Sequence, residues 1–233
     1  MPSASDYLSS PRSAELRQNM VDRQLRTFDI TSDDVLDAVL RTPREPFVSG
    51  QADSLVYSDA NLLVKGSQTI RPLLAPMFVA RALQLAEIVP GDRVLDVAGG
   101  AGYSAAIAAQ LCQSLVAVED DDAFVLRAAE AFEDLGLAHA RSVRANIAAG
   151  PAGDETFDVI LINGAIETRP AALLARLADG GRLLAIEAGD GRARAGSRFV
   201  LYTRSGASFG MRPLFGAVAD VLPDFAAKPE FVF

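Results

Sequence analysis

The chain has 233 residues, of which 50% are apolar and 22% charged, which provides one sizeable core but not two full domains, and excludes a disordered acidic tail. A net charge of −8 repels phosphate backbones and anionic membranes, so nucleic-acid and membrane-surface roles are not expected. The lone cysteine, Cys112, excludes an internal disulfide and reads as a small buried hydrophobe in a reducing compartment. The lone histidine, His139, excludes a two-histidine metal site and argues against a histidine-dependent triad; no metal is expected.

Residues 1–12, rich in Ser, Pro and Ala, read as a flexible lead without the basic start and apolar run of a secretory signal. No apolar run reaches the roughly 20 residues a membrane helix needs, so a cytoplasmic protein is expected. Residues 13–88 form an N-terminal helical and substrate-side segment. Leu16, Met20, Val21 and Leu25 recur at helical spacing behind a possible cap at Ser13. A second helix follows Ile30, with cap candidates in Thr31-Ser-Asp-Asp34 and an apolar stripe of Val35, Leu36, Val39 and Leu40. Prolines 43 and 46 end it. Residues 47–70 read as irregular, and a helix is expected from Ala75 to Ile88.

Residues 89–233 alternate strand and helix. Strands are expected at 93–97, 115–118, 140–143, 157–162 and 181–186, with helices at 103–111, 121–135 and 170–177 between them. This rhythm predicts an α/β fold with a mostly parallel sheet of Rossmann-like type. Two apolar runs around Ser205-Gly206 predict an antiparallel C-terminal hairpin on its edge. The apolar tail Phe231-Val-Phe233 suits packing on the domain or onto a second copy in a homodimer.

The most informative stretch is Val94-Leu-Asp-Val-Ala-Gly-Gly-Ala-Gly-Tyr103, where a strand ends and a helix begins. Absent side chains let a ligand approach the main chain, and the helix start offers free N–H groups. Gly100-x-Gly102-x-x-Ala105 satisfies a dinucleotide spacing, with Glu119 lying 19 residues after Gly100, so a nicotinamide oxidoreductase remains an alternative. An acid inside the first strand, Asp96, instead suits the ammonium of S-adenosylmethionine and sits badly beside a pyrophosphate. Glu119, ending the second strand, can accept both ribose hydroxyls of either cofactor, with Asp120 beside it. Asn146 could meet an adenine edge, and Asn163 lies at the same rim unless Asn163-Gly164 is simply a turn.

These residues resemble the protein-L-isoaspartate (D-aspartate) O-methyltransferase family. The likeness runs from Met20-Val-Asp-Arg-Gln-Leu25 and Thr42-Pro-Arg-Glu-Pro-Phe-Val48, through Tyr57-Ser-Asp59, Gly66-Ser-Gln-Thr-Ile70 and Ala75-Pro-Met-Phe-Val-Ala80, to the glycine loop, Phe157-Asp-Val-Ile160 and Gly180-Gly-Arg-Leu183. The resemblance implies a Rossmann-like S-adenosylmethionine-dependent methyltransferase acting in protein repair on isoaspartyl carboxylates of a protein or peptide, or on a related small acid. It assigns Asp96, Ala98, Gly99, Gly100, Gly102, Glu119, Asp120, Asn146 and Asn163 to the methyl donor, Ser67 and Gln68 to the acceptor, and Thr69 and Arg71 to the transfer site. Ala98 stands for the loop's first glycine, and Ala145-Asn146 for a Gly-Asp pair. Arg71 or Leu74 stands where the family has an active-site serine, with about three extra residues before Ala75. A carboxylate is ionised at neutral pH, so its methylation needs no general base. A module that binds S-adenosylmethionine without isoaspartyl activity is the alternative that the missing serine raises.

Overall fold

The computed structural model describes residues 2–48, 53–189 and 196–227. The tail at 231–233 therefore lies outside the described residues. The expected flexible lead is a helix instead: α1 (Ala4–Ser9) starts at a capping box in which Ser3 and Asp6 each accept the other's backbone N–H, and Ala4 is buried. Helix α2 (Pro11–Met20) begins with proline in its first turn and widens into a π turn at Val21–Leu25. Helix α3 (Asp33–Leu40) follows the cap at Ser32, its aspartates at the positive helix end and Val35, Leu36 and Val39 buried.

The stretch expected to be irregular contains the short helix α4 (Asp53–Val56) and a hairpin of β1 (Leu62–Lys65) and β2 (Ile70–Leu73). Four-residue strands in a two-stranded sheet give too short an alternation to recognise in sequence. Helix α5 (Pro76–Ala86) leads into the main sheet. That sheet comprises β3 (Arg93–Val97), β4 (Ser114–Glu119), β5 (Ala140–Arg144), β6 (Phe157–Ile166), β7 (Leu177–Glu187), β8 (Arg198–Ser205) and β9 (Ser208–Gly216). Helices α6 (Tyr103–Ala109), α7 (Asp122–Asp134) and α8 (Ala171–Ala175) connect its parallel strands.

The strand order is β5-β4-β3-β6-β7-β8-β9, parallel from β5 to β7 and antiparallel across β8 and β9. The mostly parallel Rossmann-like sheet with its antiparallel C-terminal hairpin is thus as the sequence implies. Chain order reverses between β3 and β6, and ligands of such sheets bind beyond the carboxyl ends of the strands at this reversal. One face packs against α3, α5, α6 and α7 in a core that also takes in Met20, Leu25 and Phe47 from the N-terminal segment. Burial of these side chains ties that segment to the sheet rather than leaving it a separate body. The other face packs Leu173, Leu174 and Phe225.

The candidate methyl-donor site

The glycine loop lies at that reversal point, between β3 and α6. Asp96 is the penultimate residue of β3, between Ala117 of β4 and Leu161 of β6 in the register, and is 1% exposed. Neither carboxylate oxygen has a hydrogen-bond partner among the described residues. Burial pushes its pKa up to about 6, opposed by the nearby Asn163 amide and Ser104 hydroxyl, neither of which makes a formed bond to it. A buried acid without a partner is costly, and a cationic ligand is one thing that relieves it.

The loop is shaped around this acid. A side chain on Gly99 would strike the Asp96 carboxylate and come within 3.0 Å of Ser104 Oγ. Ala98 takes the left-handed conformation at φ 58°, a strained region for a residue with a Cβ. Gly102 caps α6 at φ 92°, and a Cβ there would stand 2.9 Å from the Ala128 methyl on α7. Gly102→Ala therefore combines left-handed strain with overpacking, and we expect it to lower the unfolding free energy by about 2–3 kcal/mol in urea titrations.

Glu119 ends β4, 2% exposed, and its Oε1 accepts the Gly100 N–H at 2.7 Å. Its Oε2 is 3.1 Å from Nε of Arg71, whose Nη2 reaches Asp120 at 2.5 Å. Burial raises the Glu119 pKa to about 7, against the pull of the Arg71 charge and the Gly100 N–H. Arg71 is brought here by the hairpin register, which places it opposite Val64, both 2% exposed. Side-chain alternation turns this face inward.

Ser67, Gln68 and Thr69 meet on one residue, Asp121. Its Oδ1 accepts the Ser67 N–H at 3.0 Å and the Ser67 hydroxyl at 2.6 Å, as well as the Ala123 N–H of its own cap. Its Oδ2 accepts the N–H groups of Gln68 at 2.7 Å and Thr69 at 2.9 Å, and the Thr69 hydroxyl at 3.1 Å. Although burial works against it, these donors hold the Asp121 carboxyl far below the usual carboxylate range. The turn at 66–69 is thereby stapled to the start of α7, beside the donor loop. Asp121 is also the N-cap of α7, and nothing in the sequence points to its second task as this staple.

The asparagines divide. Asn163 is 7% exposed and donates to the Val97 carbonyl at 3.1 Å, tying β6 to the end of β3 beside Asp96. Asn163-Gly164 lies inside β6, which rules out the turn reading. Asn146 is exposed; its carbonyl oxygen accepts the N–H groups of Ala148 and Ala149 while its amide donates to Asp224. His139 sits at a turn, its Nε2 donating to the Ala109 carbonyl at 2.6 Å. Burial pushes the Cys112 thiol up to about 12, so it is not a thiolate at neutral pH. No cluster of metal-ligating residues occurs among the described residues. No helix among them is long and apolar enough to cross a membrane.

A glycine loop at the strand-order reversal, an unpartnered acid inside the first strand and a buried acid ending the second define a Rossmann-like methyltransferase rather than a dinucleotide enzyme. The family model of protein-L-isoaspartate (D-aspartate) O-methyltransferases matches residues 15–195, and the chain belongs to that family. It is 36% identical over 168 residues to the protein-L-isoaspartate O-methyltransferase of Koribacter versatilis, covering 72% of this chain and 74% of that one. It is 37% identical over 177 residues to that of Methylorubrum extorquens, covering 75% of each. A solved protein-L-isoaspartate O-methyltransferase superposes with a TM-score of 0.77 at 21% identity over 88% of this chain, which spans just under two thirds (65%) of that neighbour's length. A second, from Plasmodium falciparum in complex with S-adenosyl-L-homocysteine, gives 0.70 at 20% identity over 91% of this chain and 98% of the other. Membership of this methyltransferase family makes S-adenosylmethionine the cofactor, and the nicotinamide alternative falls.

Proposed function

We propose that this chain transfers the methyl group of S-adenosylmethionine to a carboxylate oxygen, the acceptor being an isoaspartyl residue of a protein or peptide in the cytoplasm. The observation that carries the donor half is the Asp96 carboxylate, 1% exposed and without a hydrogen-bond partner among the described residues, in the cradle that a side chain on Gly99 would fill. Asp96 would hold the donor's ammonium, Glu119 its ribose hydroxyls, and Gly99 and Gly100 the close main-chain approach. When bound, the cofactor supplies an electrophilic methyl on a sulfonium.

The protein's part is alignment and exclusion of water. An ionised acceptor carboxylate attacks in line, and no residue has to remove a proton. The 66–69 turn, stapled by Asp121, would form the acceptor wall through Ser67, Gln68 and Thr69. Arg71 is the cation at this wall, suited to a carboxylate through two parallel N–H bonds. A second reading, donor binding without isoaspartyl transfer, is supported by the burial of Arg71 against Glu119 and Asp120.

Incubation with methyl-labelled S-adenosylmethionine and an isoaspartyl peptide tests the proposal. We expect label that is released by mild base as methanol, as from a methyl ester, and none on the matched aspartyl peptide. Base-stable label, or equal labelling of both peptides, contradicts it.

A further inference from the structure

Arg71 sits where the donor's ribose would have to bind. Both Glu119 oxygens are taken, one by the Gly100 N–H at 2.7 Å and the other by Arg71 Nε at 3.1 Å. The aliphatic part of Arg71 lies across the loop, its Cβ 3.5 Å from where a Gly100 side chain would begin. Both side chains of the Arg71–Glu119 pair are 3% exposed, whereas the Asp120 side chain is 31% exposed. The arrangement is held from outside, because the Asp121 staple fixes the turn immediately before Ile70 and Arg71. Nothing in composition or spacing connects these groups, which lie 48 residues apart.

A buried ion pair gains little more from its attraction than desolvation of its charges costs. Two ribose hydroxyls can therefore replace the Arg71 N–H at Glu119 without a large penalty. The displaced guanidinium keeps its planar donors at the mouth of the crevice, beside the half-exposed Asp120. There it is the charge that an acidic acceptor lacks.

We propose that Arg71 couples the two substrates: it closes the ribose carboxylate while the site is empty, and donor entry turns its guanidinium toward the acceptor's carboxylate. This rests on the assignment of Glu119 to the ribose. Donor affinity is then lower than Glu119 alone would give, because the ligand competes with an internal cation. The acceptor, in turn, meets a free guanidinium only after the donor is in place. Each ligand strengthens the other by the same factor.

Calorimetric titration of S-adenosylhomocysteine into the wild type, Arg71→Ala, Arg71→Gln and Arg71→Lys, with and without an isoaspartyl peptide, tests this. We expect S-adenosylhomocysteine to bind both neutral variants about tenfold more tightly than the wild type, with Arg71→Lys between. The peptide should bind the wild type at least tenfold more tightly when S-adenosylhomocysteine is present, and this enhancement should vanish in the neutral variants and return in part with Lys. A purely structural Arg71 would weaken donor binding instead. Equal or weaker donor binding by a folded neutral variant, or peptide binding indifferent to donor in the wild type, overturns the proposal. Absence of donor binding in every variant, wild type included, overturns the Glu119 assignment beneath it, and so the two failures are distinct. Should Arg71→Ala not fold, the polar Arg71→Gln, which keeps the first three side-chain carbons, gives the same readout.

Discussion

Replacing Asp96 by Asn is expected to make the ligand-free protein more heat-stable at pH 7.5 and to remove most of its affinity for S-adenosylmethionine. The two effects share one cause. Burial holds the Asp96 pKa near 6, above the roughly 3.9 of an exposed aspartate. A raised acid favours the folded state only while protonated, so its cost is absent below pH 4, grows through pH 4–6 and is complete above about 6. Two pKa units correspond to about 2–3 kcal/mol, or a melting temperature about 5 °C higher for Asp96→Asn at pH 7.5. That gain should shrink to nothing as the pH is lowered toward 4. The donor's ammonium needs the ionised carboxylate, and loss of a charge-assisted bond of about 1.5–3 kcal/mol weakens binding by roughly 10- to 150-fold. Wild-type affinity should also fall about tenfold per pH unit below 6, while the weak binding of the variant stays flat. Thermal melts and donor titrations between pH 4.5 and 8 check both. A variant that melts lower yet binds normally would mean that the acid is structural.

Replacing Asp121 by Ala should have the largest effect on stability. It removes the acceptor for the N–H groups of Ser67, Gln68 and Thr69, for two hydroxyls, and for the α7 cap. Ser67 and Gln68 are exposed, so each stranded donor costs only the low end of about 1–3 kcal/mol as water takes it over; with the α7 cap lost as well, a net loss of about 3–4 kcal/mol is expected. The sign with pH is opposite to that of Asp96. A depressed acid stabilises the fold fully above the unfolded value near 4, and that contribution is lost as the pH falls below it. The wild type should therefore lose stability on acidification below pH 4, and Asp121→Ala should lose less. Protease cleavage should move to the 66–69 turn in the variant. Urea titrations at pH 3 and pH 7, with mapping of the nicked sites, provide the check. Unchanged stability at pH 7 would show that the staple carries little energy.

The parallel sheet was legible because its strands are short apolar runs separated by helices with their own caps, a pattern written in adjacent residues. The donor loop was legible for the same reason: Asp96, Gly99, Gly100 and Gly102 follow one another in the chain, and the strand-to-helix turn fixes where they point. Helix α1 was missed because its cap, Ser3 with Asp6, lies among prolines and serines that read as unstructured. The β1–β2 hairpin was missed because Leu62–Lys65 and Ile70–Leu73 are too brief to show an alternation. Least legible were the contacts between distant segments. Arg71 reads as a transfer-site residue in place of a serine until the hairpin register lays it on Glu119. Likewise the sequence offers Ser67, Gln68 and Thr69 for the acceptor wall but gives no sign that their three N–H groups and the Ser67 and Thr69 hydroxyls converge on Asp121.

The central claim is that the crevice over Asp96 to Gly102 is built for a sulfonium nucleoside with a carboxylate facing its cationic end. The most direct measurement is calorimetric titration of the wild type and Asp96→Asn with S-adenosylmethionine, with NAD as the comparison ligand. The claim predicts one-to-one binding of S-adenosylmethionine to the wild type, at least tenfold weaker binding to Asp96→Asn, and no heat with NAD. Equal affinity in the two proteins, or saturable binding of NAD to the wild type, would contradict it.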